Sequence, residues 1–376
     1  MVSVEYKKLG DIATYINGYA FKPEQRGSEG LPIIRIQDLT GNAYDLGYYN
    51  GDYPKKVELN DGDVLISWSA SLGVYLWNHG KALLNQHIFK VVFDKVEIDK
   101  FYFMYAVEYN LDKMSLKTHG ATMKHITKKD FDNVVIPYPD LDYQKEVAYR
   151  LTSLKGIIEK YQKQLDLLDE LVKARFVEMF GDLRINDKGW KYYKLDELTE
   201  LITDGEHATP KRTTQGIYLL SARNVLNHQL SLEDVDFIDC DEFDRISRRI
   251  IPKEGDVLIS CSGSIGRCCI VPKNIKFQMV RSIALLRFKS NINPVFAEYM
   301  ITSDYLQNQI NKSKTASSQA NLFQGKIKSL KGVVPPLELQ NQFASFVQEI
   351  DKSRLRELLA IKQIKLLLND SWLLLY

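Results

Sequence analysis

The sequence has no long apolar run and no recognisable export segment. Of its 376 residues, 45% are hydrophobic and 26% are charged. No stretch approaches the roughly 20 apolar residues that a membrane-spanning helix requires, and the N-terminal MVSVEYKKLGDIA lacks the apolar core of a signal peptide. We therefore expect a cytoplasmic protein with no membrane partner, long enough for two domains with cores of their own.

Cysteine and net charge are also scarce. The four cysteines lie in the second half of the chain and none is spaced as a CxxC pair, which favours reduced thiols over disulfides or a zinc site. The 50 basic and 48 acidic residues leave a net charge of +2. Whole-chain charge therefore does not indicate nucleic acid, although a basic patch on one face remains compatible with it. We predict no metal site.

No catalytic motif is present either. The chain has no Walker A loop, no HExxH and no Gly-rich cofactor loop. Asn293-Pro294-Val295-Phe296 resembles an adenine-methyltransferase motif but lacks its second proline, and a helix N-terminus with Pro294 at the first position explains it better. Serines near residues 67 and 260 lack the spacing of a hydrolase elbow. We therefore predict a non-catalytic chain that binds no cofactor itself.

The feature that stands out is an internal repeat. DGDVLISWSASLG (61–73) and EGDVLISCSGSIG (254–266) share Gly-Asp-Val-Leu-Ile-Ser followed by serines and glycine at matching spacing, about 193 residues apart. Two further pairs match at similar offsets: LPIIRIQDLTG (31–41) with IYLLSARNVLN (217–227), and PDLDYQ (139–144) with PPLELQ (335–340). The chain is therefore a tandem duplication. The repeated motif predicts a buried strand that enters a Gly/Ser loop. The small residues of the loop are either purely structural or also allow the close approach of another backbone, such as a phosphate.

Each copy combines short β-rich runs with a long helix. Runs such as DVLISWS and SIALLRF, bounded by Gly, Asn, Asp and Pro, predict the strands of an α+β fold. We predict two tandem α/β domains, residues 1–141 and 190–336. Each is followed by a long helix, residues 142–182 and 337–376.

Both helices have apolar residues at alternating spacings of four and three, the pattern of a coiled-coil seam. Pairing of the two helices would bury both seams, and the chain between them is long enough for either direction. We predict the antiparallel direction, which places one domain at each end and generates a pseudo-two-fold axis. In the second helix, Arg354 and Glu357 interrupt the seam, which either fixes the register or is bypassed by a stutter through Leu355, Leu358 and Leu359. The predicted seam consists of Val147, Leu151, Leu154, Ile158, Leu165 and Leu168 in the first helix, and Phe343, Val347, Ile350, Ile361, Ile364 and Leu368 in the second.

The Pro-x-Leu-x-x-Gln entries PDLDYQ and PPLELQ, the helix end LVKARFVEMFGD (171–182) and the GDVLIS repeat together resemble the specificity subunit of type I restriction-modification enzymes. The resemblance covers essentially the whole chain. It implies two target recognition domains that each read half of a bipartite, asymmetric site in double-stranded DNA, separated by helices that act as a ruler. It also implies two methyltransferase subunits that carry S-adenosylmethionine, and restriction subunits that use ATP and Mg.

Base and phosphate contacts are expected in loops that differ between the copies. FKPEQRGSEG (21–30) and DGEHATPKRTTQG (204–216) occupy equivalent positions with different sequences, as two different half-sites would require. A basic turn at 120–131 adds a third loop, and its counterpart has Ala320 where the first copy has Lys124. Arg, Lys and Gln suit base edges and phosphates, although each could also be an ordinary solvated surface residue. The predicted DNA-binding residues are Lys22, Arg26, Arg35, Gln37, Lys124, His125, Lys128, Lys211, Arg212 and Arg223.

The alternative function is a duplicated protein-interaction scaffold that binds two partners without reading DNA. It predicts no sequence-dependent DNA binding, even when a methyltransferase partner is present. A cryptic enzyme would instead show activity as the purified chain alone, and the absence of a catalytic motif in either copy argues against it.

Overall fold

The computed structural model describes residues 5–42, 45–117, 126–313 and 321–373. The chain divides into two compact units, of which the first combines Met1–Tyr161 with Ala360–Tyr376 and the second is Gln162–Leu359. We call them unit 1 and unit 2. Each has a region of mixed helices and sheets and a portion of both long helices.

The described residues of unit 1 form the strands β1 (Glu5–Lys8), β2 (Thr14–Asn17), β3 (Leu31–Ile34), β4 (Tyr48–Tyr49), β5 (Glu58–Leu59), β6 (Val64–Ser67), β7 (Gly73–Leu76), β8 (Ala82–Leu84), β9 (Ile88–Val92) and β10 (Val135–Tyr138). Its helices are α1 (Leu9–Ile12), α2 (Ile36–Leu39), α3 (Lys100–Lys117), α4 (Lys128–Asp132) and the beginning of α5 (Leu141–Phe180). Two four-stranded sheets have the orders β2-β9-β6-β7 and β4-β3-β8-β5, and β1 pairs with β10. Within the second sheet, β3 and β8 are parallel.

Unit 2 contains β11 (Tyr192–Lys194), β12 (Thr199–Asp204), β13 (Ile217–Leu220), β14 (Val225–Leu226), β15 (Gln229–Leu230), β16 (Asp236–Ile238), β17 (Val257–Ser260), β18 (Cys268–Ile270), β19 (Phe277–Met279), β20 (Ile283–Phe288) and β21 (Lys331–Val333). Its helices are α6 (Leu195–Leu198), α7 (Cys240–Ser247), α8 (Pro294–Thr302), α9 (Asp304–Ser313), α10 (Gln324–Ser329) and most of α11 (Leu337–Leu373). The sheet β12-β20-β17-β18 repeats the first sheet of unit 1. The sheet β16-β13-β19 repeats three of the four strands of the second sheet, with β13 parallel to β19 as β3 is to β8.

The repeated GDVLIS sequence forms the same structure in both units. Its glycines, Gly62 and Gly255, adopt φ values of 88° and 82°, a conformation that favours residues without a β-carbon. Asp63 pairs with a lysine amine on β9 at 2.7 Å, and Asp256 pairs with the Arg287 guanidinium on β20 at 2.6 Å. The four following residues are fully buried as β6 and β17. The motif is therefore a turn, an ion pair and a core strand.

The Pro-x-Leu-x-x-Gln motif attaches each long helix to its mixed region through a buried glutamine. Gln340 has no exposed surface; its Oε1 accepts from the backbone N–H of Asn293 at 2.8 Å and its Nε2 donates to the Pro335 carbonyl at 2.8 Å. Gln144 repeats this in unit 1, accepting from the N–H of Asp99 at 2.9 Å and donating to a proline carbonyl at 2.8 Å. Both bonded N–H groups lie where α3 or α8 begins. The glutamine therefore fixes the direction in which each long helix leaves.

Within unit 2, the two long helices run antiparallel. The Phe176 and Phe180 rings on α5 lie 5.4 and 5.5 Å from the Phe343 ring near the start of α11. Earlier on α5, Asp169 forms an ion pair of 2.5 Å with Arg354, which lies later on α11. Later positions on α5 therefore face earlier positions on α11. The predicted α+β fold with two long helices that pair antiparallel is confirmed.

The seam of these helices can be read from burial. All the predicted seam residues are buried or half-buried, from Val147 and Leu151 in α5 to Ile361 and Leu368 in α11. Leu355, Leu358 and Leu359 are instead 58%, 53% and 51% exposed, whereas Arg354 is half-buried and bridges to the facing helix. The seam therefore continues through the polar positions, and the stutter alternative is wrong. None of the helices in the described ranges has the length and apolarity needed to cross a membrane.

Candidate nucleic-acid interface

In unit 2, the loop 205–216, which differs from its counterpart in unit 1, meets two other connections at one edge of the sheet. Antiparallel pairing places Ser260, at the end of β17, opposite Ile283, at the start of β20. Asp204, at the end of β12, lies opposite Ala284, and β18 begins opposite the end of β17. The connections 205–216, 261–267 and 280–282 therefore leave from the same edge, which we call the loop edge.

Unit 1 has the same loop edge. Ser67, at the end of β6, pairs with Ile88, at the start of β9, and also with Gly73, at the start of β7. Asn17, at the end of β2, pairs with Phe89. The connections 18–30, 68–72 and 85–87 therefore lie together.

The loop edge lies at the opposite end of the central strand from the attachment of the long helix. In unit 2, β20 begins at the loop edge and ends at Phe288, and Asn293, which is bonded to Gln340, follows shortly after. In unit 1, β9 runs from the loop edge to Val92 and leads to Asp99, which is bonded to Gln144. In each unit, the loop edge and the attachment of the long helix therefore lie at opposite ends of the same strand.

Backbone hydrogen bonds connect the loops of unit 1 to one another. The N–H of Tyr19 donates to the Leu84 carbonyl at 2.8 Å, and the N–H of Gln86 donates back to the Tyr19 carbonyl at 3.0 Å. The N–H of Asn85 donates to the Ile34 carbonyl at 3.0 Å, which brings in the segment after β3. The turn 85–87 is thus held between two other loops.

Unit 2 repeats these bonds with different residues. The N–H of Glu206 donates to the Met279 carbonyl at 2.8 Å, and the N–H of Arg281 donates to the Glu206 carbonyl at 3.0 Å. The N–H of Val280 donates to the Leu220 carbonyl at 3.0 Å. A β-carbon on Gly205 would collide with the Met279 carbonyl oxygen, so only glycine allows this approach. The backbone framework is therefore shared although the side chains differ.

The serines of the repeated motif hold the Gly/Ser loops at the loop edge and do not act as nucleophiles in this arrangement. The hydroxyl of Ser67 donates to the Ser71 carbonyl at 2.5 Å, and that of Ser260 donates to the Ser264 carbonyl at 2.6 Å. Both side chains belong to residues with no exposed surface. Each hydroxyl closes its own Gly/Ser loop, in agreement with the structural interpretation of the motif.

In unit 1, the predicted DNA-binding residues have different surroundings. Lys22 and Gln37 are exposed, and Arg26 is half-buried. Arg35 is 9% exposed, and its guanidinium pairs with Asp38 at 3.0 Å and also donates to the Asp45 carbonyl. The guanidinium of Arg35 therefore stabilises the segment after β3 and is already engaged by these two partners.

Only the second half of the predicted basic turn, from residue 126 onwards, belongs to the residues that the structure describes. Lys124 and His125 lie outside the described residues. Lys128 begins α4, is exposed and forms an ion pair of 2.7 Å with Asp132. The N–H of Ile126 donates to the Trp68 carbonyl at 3.0 Å, so this segment reaches the loop edge of unit 1.

In unit 2, two predicted arginines converge on one carboxylate. Arg212 lies 3.0 Å and Arg223 lies 3.2 Å from the Asp236 carboxyl, and Arg223 also lies 3.3 Å from Asp234. Partial burial opposes ionisation of Asp236, but the two arginines outweigh it and lower its pKa. A DNA phosphate would have to compete with this carboxylate for both arginines.

The predicted residue Lys211 is exposed, and its backbone is held by Glu242 on α7. The N–H of Lys211 donates to Oε1 of Glu242 at 3.1 Å. The Arg245 guanidinium binds both oxygens of the same carboxylate at 2.9 Å and lowers the pKa of Glu242 to about 2. Glu242 therefore fixes loop 205–216, a role that its position in the sequence did not reveal.

The four cysteine thiols differ in their exposure. All four are free, and Cys240 alone is exposed. Burial raises the pKa of the Cys261 thiol to about 12 and also raises that of Cys268 and Cys269. In the part of the chain that the structure describes, no cluster of His, Cys, Asp and Glu is arranged to hold a metal ion.

Sequence reasoning missed two kinds of residue. One is the pair of buried glutamines, Gln144 and Gln340, for which the recurring Pro-x-Leu-x-x-Gln motif was the available signal. The other is the exposed pair Gln86 and Arg281 in the turns before β9 and β20. Alignment of the two copies shows that these two residues are equivalent. Their position at the loop edge, where both are exposed, is known only from the strand register of the structure.

A family model described as the type I restriction modification DNA specificity domain matches residues 1–168 and 187–366. The type I restriction enzyme EcoBI specificity subunit from Escherichia coli is 24% identical over 373 residues, covering 91% of this chain and 78% of that protein. The MjaVIII specificity subunit from Methanocaldococcus jannaschii is 22% identical over 369 residues, covering 92% and 86%.

Solved structures show the same fold. The S subunit of a type I restriction-modification system from M. genitalium superposes with a TM-score of 0.56 at 13% identity, covering all of this chain and 96% of that chain. A second structure, from work on complex assembly and conformational transition of the type I R-M system, gives a TM-score of 0.51 at 14% identity, covering 98% and 96%. With the family match over most of its length, the chain belongs to the type I restriction-modification DNA specificity family.

Proposed function

We propose that this member of the specificity family is the non-catalytic subunit that reads a bipartite, asymmetric site in double-stranded DNA, one half-site with each unit. The observation that carries the proposal is the pair of loop edges, which share one backbone framework and present different side chains. A framework of that kind suits two readers of unlike sequences, because base contacts depend on the side chains while the framework positions them.

The long helices would set the distance between the half-sites. α5 has 40 residues, which at about 1.5 Å per residue makes a rod of roughly 60 Å. Buried glutamines fix both helices to their mixed regions, and the antiparallel contacts of Asp169 with Arg354 and of Phe180 with Phe343 fix their register. A stiff spacer with fixed ends suits a DNA site that has a constant gap.

Partner subunits would dock on the outer faces of these helices. Monomeric proteins rarely expose contiguous apolar patches, and such patches indicate binding surfaces. We propose that two methyltransferase subunits bind here and bring S-adenosylmethionine, and that restriction subunits join them with ATP and Mg. Large apolar side chains that are exposed on α5 and α11 are Tyr149, Ile157, Leu167, Leu171, Val177, Leu355, Leu358, Leu359, Leu366 and Leu367.

The test is to co-express the chain with a methyltransferase partner in a host free of DNA methylation and to map modified adenines by single-molecule sequencing. We expect a bipartite motif with a fixed gap. A stable complex without any motif would contradict DNA reading and support the interaction scaffold instead.

The spacer hypothesis has its own variant. Removal of one heptad from α5 and the facing heptad from α11 shortens the rod by roughly 10 Å, which limits the change in the gap to about three base pairs. We expect both half-sites to stay the same while the gap changes. The matched control inserts one heptad in each helix, and an unchanged gap in both variants would contradict the spacer hypothesis.

A further inference from the structure

We propose that Gln86 and Arg281 are specificity-determining residues, each reading one base pair in its own half-site. The inference rests on the proposed function and deepens it. Both residues occupy the equivalent position at the loop edge, two residues before the first residue of β9 or β20. Neither was among the residues predicted from sequence.

The backbone at this position is held on both sides. The N–H of Arg281 donates to the Glu206 carbonyl at 3.0 Å, and that of the preceding residue donates to the Leu220 carbonyl at 3.0 Å. The N–H of Gln86 donates to the Tyr19 carbonyl at 3.0 Å in the same way. A side chain on a fixed backbone can discriminate between bases, because less conformational freedom is lost on binding.

Both side chains are free to bind. Gln86 and Arg281 are exposed, and neither side chain forms a hydrogen bond or an ion pair with any described residue. The arginines that sequence reasoning selected in unit 2, Arg212 and Arg223, are paired with carboxylates. A base contact by Arg281 requires no such pair to be broken.

Two other arginines in the mixed region of unit 2, Arg248 and Arg267, also have no ion partner among the described residues. Arg267 aligns with Val74, which cannot form a hydrogen bond to a base through its side chain. Arg248 follows α7, where unit 1 has only the short turn Lys55–Val57. Among these three arginines, Arg281 is therefore the one whose counterpart in unit 1, Gln86, can also form two hydrogen bonds to one base.

The two side chains predict different bases. The arginine guanidinium matches the O6 and N7 acceptors of guanine, and the glutamine amide matches the N6 donor and N7 acceptor of adenine in the major groove. We therefore expect a guanine at one position of the half-site read by unit 2. An adenine is expected at one position of the half-site read by unit 1.

The test compares methylation motifs of complexes formed with the same methyltransferase partner. In Arg281→Ala we expect one guanine position to become degenerate, with a loss of discrimination of about 5- to 150-fold, while the other half-site and the gap stay the same. Gln86→Ala should relax one adenine in the opposite half-site. Arg281→Gln should shift the preference at the relaxed position from guanine towards adenine.

The matched control is Lys273→Ala. Lys273 is exposed in the turn after β18, at the end of the sheet opposite the loop edge, so its removal lowers the charge without touching the loops. We expect its motif to equal that of the unaltered chain. Thermal melting of each variant complex checks that the fold is retained.

The outcomes separate the two proposals. If the unaltered complex yields no bipartite motif, the proposed function fails and this inference fails with it. If the unaltered complex yields a motif and folded Arg281→Ala and Gln86→Ala leave it unchanged, the inference is overturned while the proposed function stands. Equal weakening at all positions would assign these residues to phosphate contacts and would also overturn it.

Discussion

Replacement of Gln340 by alanine tests whether one buried side chain holds the second long helix to its mixed region. Gln340 has no exposed surface, and its amide joins the N–H of Asn293 to the Pro335 carbonyl, both at 2.8 Å. A third bond of 3.3 Å reaches the Asn291 carbonyl. Alanine removes all three bonds and leaves a void in place of the amide.

The magnitude follows from the groups left without partners. An unsatisfied buried donor or acceptor costs about 1 to 3 kcal/mol, so Asn293 and Pro335 together give roughly 2 to 6 kcal/mol. Because Asn293 is half-buried and water can reach it in part, we expect the lower range, about 2 to 4 kcal/mol. Local opening at the start of α8 should then become about 30- to 700-fold more frequent.

Hydrogen exchange measured by mass spectrometry on the full-length chain gives the readout, in peptides that span Asn293 and the first turn of α8. The control is Gln342→Ala, two residues further along the same helix, where the side chain is exposed. We expect the control to exchange like the unaltered chain, since exposed substitutions usually change stability by less than about 0.5 kcal/mol. Equal exchange in both variants would refute the role of Gln340 as the attachment.

Two further predictions concern other elements. Arg245 holds the pKa of Glu242 at about 2, so the contribution of Glu242 to stability is complete above the ordinary glutamate pKa and is lost as the pH falls towards 2. The variant Glu242→Gln should therefore show a smaller fall in melting temperature on acidification than the unaltered chain. The control Asp241→Asn, at an exposed neighbour, should show the same fall as the unaltered chain. Leu358→Lys, at a side chain 53% exposed on α11, should leave the melting temperature of the chain unchanged and abolish co-purification with a methyltransferase partner; retention of the partner, as in the exposed control Lys352→Ala, would argue against docking on this face.

The long helices were predictable because their signal is local. Apolar residues at spacings of four and three predicted a seam, and the predicted positions are buried or half-buried in the structure. The polar interruption at Arg354 was not resolved by sequence, since either a register contact or a stutter fitted the spacing. The deciding fact is Asp169 on the facing helix, 2.5 Å from Arg354 and 185 positions away in the chain. Local periodicity cannot supply a partner at that distance.

Candidate contact residues were less predictable, because the sequence shows charge but not what neutralises it. Arg35 follows a strand and was a plausible base reader, yet Asp38 and Asp45 take up its guanidinium. Arg212 and Arg223 are similarly paired with Asp236. A loop residue is therefore better judged by its partners than by its type.

Comparison of the two copies separates a framework that they share from the exposed side chains in which they differ. The constant part consists of the turn at Gly62 and Gly255, the buried strands β6 and β17, and the backbone bonds that hold the turns before β9 and β20. These interactions use backbone groups or buried side chains, so they do not depend on the exposed residues of the loop edge. Substitutions at exposed positions usually cost little stability. If the two units read half-sites as proposed, a new DNA preference could arise at Gln86 or Arg281 without any change in the framework, and two copies of one sequence could come to read different half-sites.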